Sequence, residues 1–315
     1  MPKDLPPKMQ TANKWHLPYN NKSPTWGIFC YNKFMRIFIL ILVLIVAALM
    51  QIRGYTITNS PLIEYINQNS PVIIAHRGAA DVAPENTLAA FRRAVELGAD
   101  GIELDVHLTL DGYLVVIHDY TINRTARMPN DDVLPAEINI ADSTLYELRQ
   151  FDFGIWFAPE FAGERIPILT EVLDAVPINT IVNIEIKAYK GQPFRAPAIA
   201  LAQYLAGREN TDYIFVSSFN PMALNAFRRG ARRTGAQIPT ALIYGSNKEV
   251  PWYLHHGRGR ILHNADILKP RAQDVRTERR PIIAWNVHDT DTVQKVMAAG
   301  AIGIITSNIG LINRN

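Results

Sequence analysis

The sequence predicts a (β/α)8 TIM barrel with a hairpin excursion after its second strand, preceded by an N-terminal hydrophobic helix. Three observations carry the prediction. Strand-like apolar runs alternate with helical patterns from Ser60 onward, the arrangement of a parallel sheet joined by crossover helices. One surplus strand is accounted for by a hairpin signal. Charged residues within the apolar runs gather at strand ends, where barrels build their sites. The 315 residues suit one barrel of about 250 residues and an appendage.

The strand candidates are residues 72–75, 101–106, 114–117, 180–186, 213–217, 240–244, 260–263, 282–287 and 303–305. Between the first two lies 87–97, where Leu88, Phe91 and Val95 share a helical face and Gly98 supplies the stop. A second helix, 291–299, ends at Gly300. Nine candidates are one too many for eight parallel strands. Between 101–106 and 114–117 there is no helix, only a turn around Asp111-Gly112, the strongest short hairpin signal. Taken as a two-residue turn, it pairs Leu110 with Tyr113 and sets Asp105 opposite His118. The arm 113–118 then folds back on the second strand, and eight parallel strands remain. The barrel is assigned to 71–315, with 53–70 as a linker.

The formal net charge of +3 is unevenly placed. Residues 1–36 carry Lys3, Lys8, Lys14, Lys22, Lys33 and Arg36 against Asp4 alone. The basic character belongs to this tail, so the remainder does not read as nucleic-acid binding. The single cysteine, Cys30, lies before the globular region, which excludes a disulfide framework or a cysteine metal site there. Residues 37–50 have no polar side chain. Fourteen helical residues span only about 21 Å of a roughly 30 Å hydrocarbon core. Extending the span to Ile52, with Arg36 snorkelling, makes it adequate. Read as a signal-anchor over 37–52, it keeps the basic tail in the cytoplasm and tethers an exported barrel to the membrane. Small residues near Val46-Ala47-Ala48 leave a cleaved signal peptide, and a periplasmic or secreted product, as the alternative.

Four clusters carry chemistry. His76-Arg77 follows the first strand directly. Glu103 and Asp105 alternate in the second, so both face one way. His118-Asp119 ends the hairpin arm, and Asn183, Glu185 and Lys187 alternate in 180–186 and just beyond. Strands of parallel sheets are normally buried on both faces, so charges inside such runs need a partner or a task. Carboxylates converging at a barrel mouth repel unless a cation sits among them, and an all-oxygen site suits one divalent cation, Ca2+ or Mg2+. Arg77 and Lys187 suit phosphate oxygens, and two histidines suit a general acid and base. Glu85 and Asn86 read as residues that pin Arg77 and cap the first helix. Asn86 and His107 are secondary candidates for the metal shell, His288 for the rim, and Trp156-Phe157 for core or an apolar lip. His255, His256 and His263 read as solvated loop residues.

An ordered set of motifs closely resembles the glycerophosphodiester phosphodiesterase signature. It comprises His76-Arg77-Gly78, Pro84-Glu85-Asn86-Thr87, Glu103-Leu104-Asp105, Asp111-Gly112, His118-Asp119, Glu185-Ile186-Lys187, Ser217-Ser218-Phe219 and Trp285-Asn286-Val287. The resemblance runs from about Pro71 to Ile312. It implies a barrel of the phospholipase C-like superfamily that uses a divalent metal to hydrolyse small-molecule glycerophosphodiesters to glycerol 3-phosphate and an alcohol. Carried over by position, Glu103, Asp105 and Glu185 are metal ligands, and His76 and His118 the acid–base pair. Arg77 and Lys187 are phosphate clamps, and Trp285 a wall of the glycerol pocket. Leu110 departs from the lysine common before Asp-Gly, and Ser307-Asn308 from a common aspartate; neither touches this chemistry. Two rival readings are a membrane-proximal lysophospholipase D or phospholipase C-like lipid enzyme, and a non-catalytic phosphodiester-binding membrane protein.

Overall fold

Short runs of Ile, Leu and Val form eight parallel strands in a computed structural model that describes residues 35–46, 60–130, 132–188, 192–246 and 252–311. They are β1 (Val72–His76), β2 (Gly101–Leu108), β4 (Ile181–Ile186), β5 (Ile214–Ser218), β6 (Thr240–Tyr244), β7 (Ile267–Pro270), β8 (Ile283–Ala284) and β9 (Gly303–Thr306). The order is β7-β6-β5-β4-β2-β1-β9-β8, with β3 (Leu114–Val116) antiparallel on β2. Parallel bridges Leu268↔Ile282 and Arg271↔Trp285 bring β7 to β8 and nearly close the barrel.

Alternation along the strands divides the interior. Val72, Ile74, Ile181, Phe215, Ala241, Ile267, Ile283 and Ile305 fill its lower part with apolar side chains. Further along the same inward rows stand His76, Glu103, Asp105, Glu185, Lys187 and Lys269, which line a pocket at the C-terminal end. The outward rows pack on α3 (Leu88–Glu96), α5 (Leu169–Ala175), α6 (Arg195–Ala206), α7 (Pro221–Thr234) and α8 (Thr290–Ala298) in one core. Thr87 caps α3 by accepting from Ala90 N at 3.2 Å, a device that contributes about 1 kcal/mol. The segment after β3 builds its own small core around Ile117, Ile122, Leu148 and Phe153. It includes α4 (Leu145–Leu148).

Three expectations change. The hairpin register is shifted by one residue: Val106 pairs with Val116 and Leu108 with Leu114, and Thr109 N donates to Tyr113 O at 2.9 Å. The loop has three residues, Leu110-Asp111-Gly112, closed by Gly112 at φ +86°. A type I turn followed by a left-handed glycine is the usual three-residue solution. Asp105 O therefore accepts from Ile117 N at 3.0 Å, and Ile117, not His118, lies opposite Asp105. The strand expected at 260–263 is the end of a 3-10 segment, Trp252–Ile261, followed by a turn in which Gly259 O accepts from Leu262 N. The seventh parallel strand is Ile267–Pro270, whose Lys269 and Pro270 disguise it, because both are depleted in strands. Finally, residues 61–68 of the expected linker form α2 (Pro61–Gln68), which buries Leu62 and Ile66 among the lower interior residues. Its amphipathic spacing closes the N-terminal end of the barrel.

The chain divides into two units, 1–52 and 53–315. In the first, residues 35–46 form a helix, α1. Among the described residues no helix is long and apolar enough to cross a membrane, and residues 47–52 of the expected span lie outside them.

Candidate active site

The pocket at the C-terminal end of the strands has a volume of about 240 Å³ and is lined by His76, Arg77, Glu103, Asp105, His118, Glu185, Lys187 and Trp285, all anticipated, with Lys269, Phe219 and Asn286 besides. Adjacent strands set the carboxylates together, since β2 and β4 pair Asp105 with Glu185. Glu103, Asp105 and Glu185 are all buried and offer ligand atoms within 4.8 Å of one another.

Such proximity has an electrostatic consequence. Burial and then the Asp105 charge push the Glu103 carboxyl up to about 8. Burial opposes ionisation of Asp105 too, but Lys187, then His118 and Arg77, outweigh it, and the carboxyl stays well below its ordinary value. Lys187 Nζ lies 2.9 Å from Glu185 Oε1 and 3.2 Å from Asp105 Oδ1. Lys269 Nζ lies 3.2 Å from Ser217 Oγ and 3.8 Å from Glu103 Oε1. An unshielded buried carboxylate trio is costly, so two buried ammonium groups and a raised carboxyl pKa mark a donor set suited to a hard cation.

The loop after β1 is built to hold Arg77 against this cluster. Arg77 and Asn86 both adopt positive φ, 56° and 59°, which turns the Arg77 amide toward Glu103 Oε2 at 3.1 Å. Its guanidinium donates to Glu85 Oε1 at 2.8 Å, and Nε stands 3.6 Å from Asp105 Oδ2. Glu85 thus pins Arg77, as expected. Asn86 caps no helix; its amide donates to Asp105 Oδ2 at 2.9 Å and positions that carboxylate, while Thr87 provides the cap.

The two histidines differ. Burial and then the Arg77 charge lower the His76 pKa well below its usual value, so its imidazole is neutral near pH 7. His118 reaches the pocket from the turn beyond β3, and Asp119 Oδ1 holds its Nδ1 at 2.5 Å. Arg124 then bonds Asp119 Oδ2 at 2.6 Å and Glu85 Oε1 at 2.7 Å. A chain of charge-assisted bonds therefore runs from His118 to Arg77.

Other candidates lie elsewhere. His107 Nε2 is 3.1 Å from the His118 carbonyl and its ring packs edge-on against Tyr120. His263 is buried, contrary to expectation, between Thr240 Oγ1 at 3.0 Å and Asn225 Oδ1 at 2.9 Å. Trp156 donates its indole N–H to Phe153 O and is not among the pocket-lining residues. Trp285 is half-buried, donates to Lys269 O at 3.0 Å and meets Phe219 edge-to-face at 5.2 Å. Lys269 has no local signal in the sequence, since its strand is four residues long and ends in proline.

The chain is similar to known proteins over the length of the barrel. The model of the glycerophosphoryl diester phosphodiesterase family matches residues 76–311. A glycerophosphodiester phosphodiesterase of Caldanaerobacter subterraneus subsp. tengcongensis is 36% identical over 245 residues, 75% of this chain and 94% of that protein. One from Bacillus altitudinis is 31% identical, covering 74% and 93%. Among solved structures, an Oleispira antarctica phosphodiesterase in complex with the product sn-glycerol-3-phosphate superposes with TM-score 0.62 at 25% identity, over 77% of this chain and 95% of that one. A Thermotoga maritima glycerophosphodiester phosphodiesterase gives 0.58 at 26% identity, over 76% and 96%.

Proposed function

The chain belongs to the glycerophosphoryl diester phosphodiesterase family, and from that premise we propose how its pocket residues divide the hydrolysis of a glycerophosphodiester to glycerol 3-phosphate and an alcohol. The chain is an enzyme of that activity, a phosphoric diester hydrolase. The observation that carries the division is the meeting of two histidines, three carboxylates and three cations in one pocket.

Glu103, Asp105 and Glu185 would hold one divalent cation, Ca2+ or Mg2+, because the oxygen donors are hard and close together. When bound, the cation polarises a phosphoryl oxygen and offsets charge that develops on it. Arg77, Lys187 and Lys269 turn positive charge toward the remaining phosphate oxygens. His76, neutral in its buried position, accepts the proton of the attacking water. His118, held at Nδ1 by Asp119, donates a proton to the departing alkoxide from its other nitrogen. Trp285 and Phe219 form a rigid aromatic wall for the glycerol carbons.

The basic tail before an apolar run supports tethering by residues 37–52, with the barrel outside the cytoplasm. The test is release of glycerol 3-phosphate from a panel of glycerophosphodiesters with and without chelator. Release that stops with chelator and returns with Ca2+ or Mg2+ supports the reading. Equal release in chelator overturns the metal's role, and choline release only from lysophosphatidylcholine makes the lipid the substrate.

A further inference from the structure

One sector of the N-terminal end of the barrel is rich in arginine. α7 starts at the mouth and ends at the opposite, N-terminal end, where its last turns carry Arg228, Arg229, Arg232 and Arg233; residues 221–240 contain no Asp or Glu. Arg228 donates to Asn264 O and to Asp266 Oδ2, each at 2.7 Å. Arg280, from the approach to β8, donates to Ala265 O at 2.7 Å and to the Asn264 side chain. These bonds draw α7, the turn before β7 and the approach to β8 into one surface. Arg229, Arg232, Arg233 and Arg279 are exposed on it. Beside them lie Ile261 and Leu262, 60% and 49% exposed, fixed to α7 by the Asn225 amide, which donates to Leu262 O at 2.8 Å. The acidic neighbours Asp266 and Glu278 are engaged by Arg228 and Arg260.

The chain enters the barrel at this same end, through Ser60 and α2. The mouth-side segment 132–148 carries Asp132, Glu137, Asp142 and Glu147 and no Lys or Arg. Arginines in the last turn of a helix complement its dipole, which accounts for Arg232 and Arg233. It does not account for Arg279 or for an exposed Ile-Leu pair among the cations. Basic side chains around exposed aliphatic ones suit the headgroup boundary of an anionic bilayer. A nucleic acid would use the charge but leave the aliphatic pair in water.

We propose that this N-terminal end of the barrel, around β6, β7 and β8, docks on an anionic lipid surface, so that the catalytic mouth points away from the bilayer. The docking deepens the membrane tethering proposed above and rests on it for its setting. Its functional consequence is a preference for water-soluble glycerophosphodiesters over lipids held in the same membrane.

The full chain, with Cys30→Ser, is reconstituted in vesicles containing nitroxide-headgroup lipid and labelled with a fluorophore at Gln237→Cys or at Tyr146→Cys, exposed positions on the two ends. Flotation with pure phosphatidylcholine vesicles, on which no docking is expected, reads the tether separately. We expect the Gln237 probe to be quenched in vesicles with phosphatidylglycerol and not in pure phosphatidylcholine. Quenching is expected to disappear on Arg229→Glu, Arg232→Glu, Arg233→Glu triple substitution, with turnover of soluble substrate unchanged. The Tyr146 probe is expected to stay unquenched. A chain that floats with an unquenched Gln237 probe, or with a quenched Tyr146 probe, overturns the docking and leaves the tether standing. A chain that does not float, yet has its Gln237 probe quenched on added phosphatidylglycerol vesicles, overturns the tether and leaves the docking. Displacement of the lipid by duplex DNA at equal charge, with no effect of Ile261→Ser and Leu262→Ser, assigns the surface to nucleic acid and overturns the proposal.

Discussion

Asp119 Oδ1 stands 2.5 Å from His118 Nδ1, and the other Asp119 oxygen is held by Arg124 at 2.6 Å. The carboxylate therefore fixes both the ring orientation and the nitrogen that carries the inner proton, leaving the second nitrogen for the substrate. Burial opposes ionisation of Asp119, but the bonds from His118 and Arg124 hold its pKa below the ordinary value, so it remains an acceptor throughout the neutral range. Asp119→Asn keeps the shape and removes the charge. Its kcat is expected to fall on the order of 10²-fold, within the range of general acid–base catalysis, with KM little changed. A KM increase at constant kcat would show that Asp119 serves binding instead.

His118→Ala is expected to lower kcat by a factor on the order of 10² to 10⁴ while cation affinity stays nearly intact, because His118 is not one of the three carboxylate donors. A diester with a p-nitrophenol leaving group needs no proton donor. That substrate is expected to restore turnover in His118→Ala and not in His76→Ala. Rescue of His76→Ala alone would exchange the two roles; rescue of neither would remove the acid assignment.

The carboxylates make a prediction that separates stability from activity. Burial and Asp105 already push the Glu103 carboxyl up to about 8, so ionising it costs the metal-free fold. Glu103→Gln is expected to leave the metal-free melting temperature unchanged or raised and to remove its rise on adding Ca2+ or Mg2+. Glu185→Gln is expected to lose the metal-induced rise as well. Retention of a normal rise in Glu185→Gln excludes that residue as a ligand.

His263 supplies the pH dependence of stability. It is 2% exposed, and burial, followed by the charges of Arg228 and Arg280, lowers its pKa to about 2. Its pKa in the unfolded chain is near the ordinary 6.5, so the unfolded state binds the proton first. Stability is then full above about pH 6.5 and is lost progressively as pH falls below it. Urea midpoints measured between about pH 7.5 and 5 are expected to drop for the native chain and to drop less for His263→Gln. Parallel curves would place the acid sensitivity elsewhere.

Legibility in the sequence tracked how local the signal was. Glu103 with Asp105, and Glu185 with Lys187, announced themselves as charges in apolar runs, and strand alternation put them in one pocket. Seven of the eight parallel strands follow from the alternation with helices; the strand expected at 260–263 lies instead at Ile267–Pro270. Asp111-Gly112 marks the hairpin that carries His118 back toward the pocket, but the loop has three residues because Thr109 pairs with Tyr113. A dipeptide does not reveal which residue closes the loop. The plug α2 looked like a linker since only Leu62, Ile63 and Ile66 are buried in it, and what they meet is set by strands far along the chain. His263 looked solvated because its partners, Asn225 and Thr240, come from α7 and β6.

Lys269 is the clearest case of tertiary context overriding local pattern, and it yields the last prediction. It lies in β7, a four-residue strand ending in proline, and the barrel buries its ammonium beside Ser217 and Glu103. From there it acts in two opposing ways. Its charge competes with a cation held by Glu103, Asp105 and Glu185, and it adds to the attraction for a phosphate. Lys269→Met keeps the length of the side chain and removes the charge. Cation affinity is then expected to rise or hold, while kcat/KM for a glycerophosphodiester falls on the order of 10- to 100-fold, the loss of one charge-assisted hydrogen bond of about 1.5–3 kcal/mol. A merely structural lysine would behave otherwise: cation affinity, activity and melting temperature would decline together. Isothermal titration with Ca2+ or Mg2+, set beside steady-state kinetics on the same preparation, distinguishes the two outcomes. A parallel decline removes Lys269 from the phosphate-binding set and leaves that task to Arg77 and Lys187.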